Sequence, residues 1–145
     1  MDRGILTHRS VGIDLALECA RAALAIGQAR GYRIAVAMAD RAGHLMVLLR
    51  GDGAGPHLID SARRKAYTAA SARKRTSVMS SAIDERRGEP DPHLVYLEGV
   101  LMVGGVPILA GDEVIGAIGV AGSPGSIHDE ECADVAIAQV VGRLA

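Results

Sequence analysis

The chain has 145 residues, the size of one ordinary domain, and 49% of them are hydrophobic, enough to bury a core. Its net charge of −1, from 16 basic and 17 acidic residues, points to neither nucleic acid nor an anionic membrane as a partner. No run reaches the ~18 apolar residues of a membrane helix, and no signal-type apolar stretch follows Met1-Asp2-Arg3-Gly4, so the cytoplasm is the expected location.

Only Tyr32, Tyr67 and Tyr96 are aromatic, so Ala, Val, Ile, Leu and Met must build the core. Small residues pack elements closely but bury little area each. Association with further copies would supply the missing burial, and a homo-oligomer is expected. Cys19 and Cys132 lie far apart with no CxxC neighbour. They read as two small buried side chains on helices rather than as zinc ligands or a disulfide.

In chain order, Thr7 or Ser10 can cap a first helix running to about Arg30. Leu15, Cys19, Ala22 and Ile26 share one helical face, and Gly31 ends the helix. Residues 33–40 and 44–50 read as two strands of a hairpin around Arg41-Ala42-Gly43. The unbroken apolar run Leu45 to Leu49 predicts cover on both faces of the second strand. After the glycine-rich stretch 51–55, Pro56 suits the first turn of a helix reaching about Lys74, with Leu58, Ala62, Ala66, Ala69 and Ala70 buried. Residues 76–92 read as an irregular excursion with a short helix at most, and 93–97 as extended. Residues 99–103, 106–110 and 114–121 are short apolar runs. Gly116 and Gly119 inside the last of them mark close approach of another chain segment or a ligand. Ser126 can cap a final helix to about Leu144, with Asp129 as its capping-box partner. Short turns favour antiparallel pairing. One domain over residues 1–145 follows, a five-stranded antiparallel sheet with helices on its faces.

Three segments carry candidate chemistry. Arg50-Gly51-Asp52-Gly53-Ala54 ends a strand in an arginine that can hold a carboxylate bidentately, or it is a loop with an ordinary Arg–Asp surface pair. Lys65 lies seven residues after Leu58 and four before Ala69, within the apolar stripe. It either snorkels to an edge or sits in a pocket as a cation or base. The segment Gly122-Ser123-Pro124-Gly125-Ser126-Ile127-His128-Asp129-Glu130 runs from a glycine-rich loop into a helix N-terminus, where anions bind readily. There His128 can act as acid, base or ligand, while Asp129 and Glu130 can instead complement the dipole themselves. His8, His44, His57 and His93 are scattered. Each alone is more often a surface or hydrogen-bonded histidine than a ligand; His57, beside the glycine loop, is the best of the four for an axial haem role. There is no GxGxxG, Walker or GxSxG pattern.

Together these segments resemble the GlcG/HbpS-like family, the haem-degrading-domain family, which includes the C-terminal domain of PduO-type corrinoid adenosyltransferases. The resemblance rests on Ala39-Asp40-Arg41-Ala42-Gly43-His44-Leu45, Arg50-Gly51-Asp52-Gly53-Ala54 and Arg64-Lys65-Ala66-Tyr67-Thr68-Ala69. It continues through Gly104-Gly105-Val106-Pro107-Ile108, residues 111–120 and Asp129-Glu130-Glu131-Cys132-Ala133. It implies a three-layer α/β/α domain with a five-stranded antiparallel, profilin-like sheet, and dimers that build larger assemblies. Some relatives bind haem or a corrinoid, and others accompany catabolic operons. Members commonly carry Gln where His128 stands and Ser-Gly where Ala121-Gly122 stands.

The residues expected to carry function are Lys65 and His128 for proton transfer. Arg50, Asp52, Gly53, His57, Gly122, Ser123, Gly125 and Glu130 are expected to bind ligand, and no metal-ligand set is expected. Arg50, Lys65 and the start of the last helix should converge on one cavity. The first reading is an oligomer that holds haem or a related tetrapyrrole. The alternative is a cofactor-independent isomerase, dehydratase or decarboxylase acting on a small carboxylated or aromatic catabolite. A third is an accessory protein with a vestigial pocket.

Overall fold

The computed structural model describes residues 3–85 and 103–143. Among the described residues, four α-helices and four strands follow in the order α1 (Ile13–Ala29), β1 (Ala35–Asp40), β2 (Leu45–Arg50), α2 (His57–Ala72), α3 (Thr76–Glu85), β3 (Gly105–Ala110), β4 (Glu113–Ala121) and α4 (Ser126–Val140). The sheet is antiparallel throughout, in the order β2-β1-β4-β3. Among the described residues it has four strands, not the five expected. The runs 93–97 and 99–102 lie outside the described residues, and Val103 and Gly104 are not in a strand. None of the described helices is long and apolar enough to cross a membrane.

The pleat separates two chemically different faces. Ile34, Val36, Met38, Val106, Ile108, Ile118 and Val120 form one core with Cys19 of α1 and Cys132 of α4. Ala35, Ala37, Ala39, Ala117 and Ala121 form the other with Ala62, Ala66, Ala69 and Ala70 of α2. The absence of Phe and Trp is met by closeness rather than bulk. A Cβ on Gly119 would collide with Ala62 O and lie 2.6 Å from Ala66 N, so α2 rests directly on the strand backbone. Gly116 serves the opposite face, where a Cβ would lie 2.8 Å from Val11 Cγ1.

Several boundaries depart from expectation for long-range reasons. Neither Thr7 nor Ser10 caps α1; its N-cap is Gly12, with no side-chain bond. Residues before it form an arm along β4. There Val11 N donates to Ile115 O at 2.8 Å and Arg9 Nε meets Glu113 Oε2 at 2.7 Å. The fully buried stripe of α1 is Ala16, Cys19, Ala20, Ala23 and Gly27, not the set with Leu15, Ala22 and Ile26, which are only partly buried. Packing on both the sheet and α4 shifts the buried stripe to the smallest side chains.

Strand β2 is an edge, and of its apolar run only Val47 is buried, while Leu45 stays 46% exposed. Cover is therefore partial rather than complete: Met46 and Leu49 pack on one core and Leu48 on the other, while β1 and β4 hold the central places. The excursion after Arg73, whose φ of 55° ends α2 in the left-handed region, contains a ten-residue helix, α3. Its first residue, Thr76, is fully buried and accepts a hydrogen bond from Gly105 N at 3.0 Å. Arg75 fastens this corner to α4 through Asp134 at 2.7 Å and Glu130 at 2.6 Å. Helix α4 is capped by Gly125 rather than Ser126, and it ends at Val140, followed by a 3-10 turn.

Candidate functional site

Helix α1 ends in a Schellman motif. Tyr32 N donates to Gly27 O at 2.8 Å and Gly31 N to Gln28 O at 3.0 Å, with Gly31 at φ 78°. This reversal projects Arg30, Gly31, Tyr32 and Arg33 at the end of the sheet where β1 begins. Strand β4 ends there too, because Ala121 pairs with Ala35. Gly122, at φ 110°, then turns away. A Cβ there would lie 2.6 Å from both Arg33 O and Leu58 Cδ1, so only glycine lets the two segments touch. Between them lies an open hollow of about 520 Å³ lined by Arg30, Gly31, Tyr32, Arg33, Gly122 and Pro124. That volume lies within the range of small-molecule sites.

His128, in the first turn of α4, does not line the hollow, but its ring centroid lies 6.0 Å from that of Tyr32, which does. Glu131 Oε2 holds both His128 Nδ1, at 3.2 Å, and Arg30 Nη1, at 3.3 Å. Arg33 lies against Gly53, whose Cβ would be 3.2 Å from Arg33 Cδ, and forms no ion pair among the described residues. The end of the sheet is thus cationic, with one imidazole and one phenol beside it.

The other expected residues distribute as follows. Arg50 pairs with Ala35 in the strand register, placing its loop at the same end of the sheet. Its Nη1 donates to Ala54 O at 2.9 Å, closing that loop. Asp52 is exposed, and Gly53 turns at φ 78°. His57 is exposed in the first turn of α2, close against Gly55. None of Arg50, Asp52 and His57 lines the hollow. Ser123 Oγ donates to Gly125 O at 2.7 Å and shapes the loop before α4. Glu130 turns away from the hollow, accepting from Arg75 and from Ser77 Oγ at 3.2 Å.

Lys65 points into the fold as its spacing predicts, and neither snorkels nor opens to a pocket among the described residues. It is 1% exposed. Its Nζ donates to Val120 O at 2.9 Å and meets Asp129 Oδ2 at 3.2 Å. The β3 ladder stops at Gly105, with Gly104 O still accepting from Val120 N, so Val120 O has no strand partner and the lysine takes its place. The other oxygen of Asp129, Oδ1, accepts from Ser123 N at 3.0 Å. The first turn of α4 therefore works in three directions: His128 outward to Tyr32 and Glu131, Asp129 inward to Lys65, and Glu130 sideways to Arg75. Sequence reasoning missed Arg30, Tyr32 and Arg33; the signal was two arginines bracketing the helix-ending glycine. It took Asp129 for a cap, since its partner is 64 residues away.

Both cysteines sit in the seam between α1 and α4, fully buried. Burial foremost, then the charge of Glu18, pushes the Cys19 thiol up from the usual 9.0 to about 12. Burial also raises Cys132. Because the folded value lies above the unfolded one, the Cys19 contribution to stability is complete below pH 9.0 and is lost as pH rises to about 12. Neither thiol should react with an aromatic disulfide reagent at pH 8 until the chain unfolds. Rapid labelling of the native protein would contradict the packing of this seam.

An antiparallel α+β fold with an arginine-lined hollow at one end of its sheet defines the architecture. Comparison with known proteins gives the lineage. The family model described as haem degrading protein HbpS-like matches residues 11–138, and the chain belongs to this family. Protein GlcG of Escherichia coli K12 is 33% identical over 114 residues, 74% of this chain and 81% of that protein. A double mutant of HbpS from Streptomyces reticuli has a TM-score of 0.86 at 32% identity, covering 97% of this chain and 93% of that one. A PduOC–haem complex shares the fold, with a TM-score of 0.79 at 23% identity over 89% of this chain and 94% of that one.

Proposed function

We propose that this protein binds haem or a related tetrapyrrole in the hollow at the end of its sheet, and that it works as a homo-oligomer. The observation that carries this reading is the pair Arg30 and Arg33, two cations flanking Gly31 and Tyr32 on the wall of an open cavity. Such a pair can hold two propionates. Tyr32 offers a flat apolar surface to a macrocycle, and Gly122 and Pro124 a wall without bulk. His128 has its Nδ1 engaged by Glu131, which orients the ring and leaves Nε2 as the donor for an iron. Bound haem would bring redox chemistry at its iron; the chain's own residues would bind it, orient it and neutralise its carboxylates. The family description and the haem bound by PduOC support the same ligand class. The oligomer is supported by exposed Ile13, Leu45, Leu109 and Ile127 on a protein whose core lacks large aromatics. For the enzymatic alternative, Lys65 is a poor base, because its amine is already committed and its side chain is 2% exposed.

Titration with ferric haem tests this. A saturable Soret band is expected, and Arg30→Ala with Arg33→Ala should weaken binding about tenfold, ~1–2 kcal/mol for two partly screened ion pairs. The unfolding midpoint should hardly move, since both side chains are exposed. Unchanged affinity in the double variant would move the site elsewhere.

A further inference from the structure

Among the described residues Lys65 is the largest fully buried side chain, on a face whose buried core is alanine. Burying a charge pair is seldom the cheapest way to fill space, so its connections matter. The backbone bends to admit it. Gly104 adopts φ 131°, and a Cβ there would lie 3.0 Å from Lys65 Nζ, 3.0 Å from Asp129 Cβ and 2.5 Å from Val120 O. Lys65 thus passes the end of β3 and reaches from the α2 face to α4 on the other side. Asp129 divides its two oxygens between that amine and the backbone amide of Ser123. Ser123 sits between Gly122 and Pro124, which wall the hollow.

We propose that Asp129, through the oxygen that accepts from Ser123 N, is a positioning residue that sets the conformation of the 122–125 loop and thereby the affinity of the hollow for its ligand. The proposal rests on the binding function above. Lys65 does not touch the ligand; it pairs with Oδ2 of Asp129, while Oδ1 holds the loop through Ser123 N. An amide at position 129 can still accept from Ser123 N, whereas an alkyl side chain cannot.

Two double variants separate this role from simple core filling. Lys65→Met with Asp129→Asn removes both charges and keeps the acceptor. Lys65→Met with Asp129→Leu removes both charges and the acceptor. Amide exchange resolved at Ser123 should be ~100-fold slower than in an open loop in the unmodified chain and in the asparagine variant, and should reach the open-loop rate in the leucine variant. Ferric haem affinity should stay within ~3-fold for the asparagine variant and fall ~10-fold for the leucine variant, at similar unfolding midpoints. Equal exchange at Ser123 in the two variants, or equal affinity despite different exchange, overturns the proposal. If the unmodified chain binds no haem, the binding reading fails, while the exchange comparison still decides whether Asp129 holds the loop. Should the leucine variant not fold, Lys65→Met with Asp129→Ala makes the same comparison. Fast Ser123 exchange in the unmodified chain overturns the proposal by itself.

Discussion

Replacing Lys65 with alanine should cost about 3–5 kcal/mol of stability, the usual penalty for stranding one member of a buried ion pair. The side chains of Lys65 and Asp129 are 2% and 4% exposed, so water cannot replace either partner. The variant also leaves Val120 O without a donor and a void beside Gly104. For a chain of this size the melting temperature should fall by roughly 10 °C or more. Lys65→Met combined with Asp129→Leu should recover most of that loss, because matched apolar groups often replace a buried pair without penalty. Urea unfolding of the three proteins measures both effects. A loss below about 1 kcal/mol in the alanine variant would mean that the amine reaches solvent.

Gly119→Val should be the other severe substitution, at about 3 kcal/mol or more, the upper end for overpacking. The added Cβ meets backbone, Ala62 O and Ala66 N, and the Cβ of Lys65 at 3.1 Å. A helix backbone cannot yield as a side-chain tip can, so α2 must lift off the sheet and expose its alanine stripe. Gly142→Ala, with nothing within 4 Å of the new methyl, is the control and should stay within ~0.5 kcal/mol. Comparable midpoints for the two variants would contradict the close seating of α2.

Features set by local spacing were readable before any coordinates. The i, i+4 and i+7 arithmetic turned Lys65 inward with Ala62, Ala66 and Ala69, and the glycines of β4 announced a close neighbour. The hairpin and α2 followed from turn chemistry and periodicity. What escaped was decided by partners distant in sequence. Ser10 has the chemistry of a helix cap, but it lies in an arm docked on β4, where its Oγ accepts from Arg41 N at 3.1 Å. The apolar run of β2 reads the same whether the strand lies at the centre or the edge; strand order alone exposes Leu45. Asp129 reads as a cap until Lys65 is brought beside it. Arg30 and Arg33 become a site only when Gly122, about ninety positions further on, closes the far wall.

The central claim is that the hollow between residues 30–33 and 122–124 is where the ligand binds. Backbone amide shifts recorded while a diamagnetic haem analogue is titrated test it most directly. The account predicts that the largest changes fall on Gly31, Tyr32, Arg33, Gly122 and His128, with the edge strand β2 unaffected. Changes concentrated on another surface, with these amides still, would contradict it.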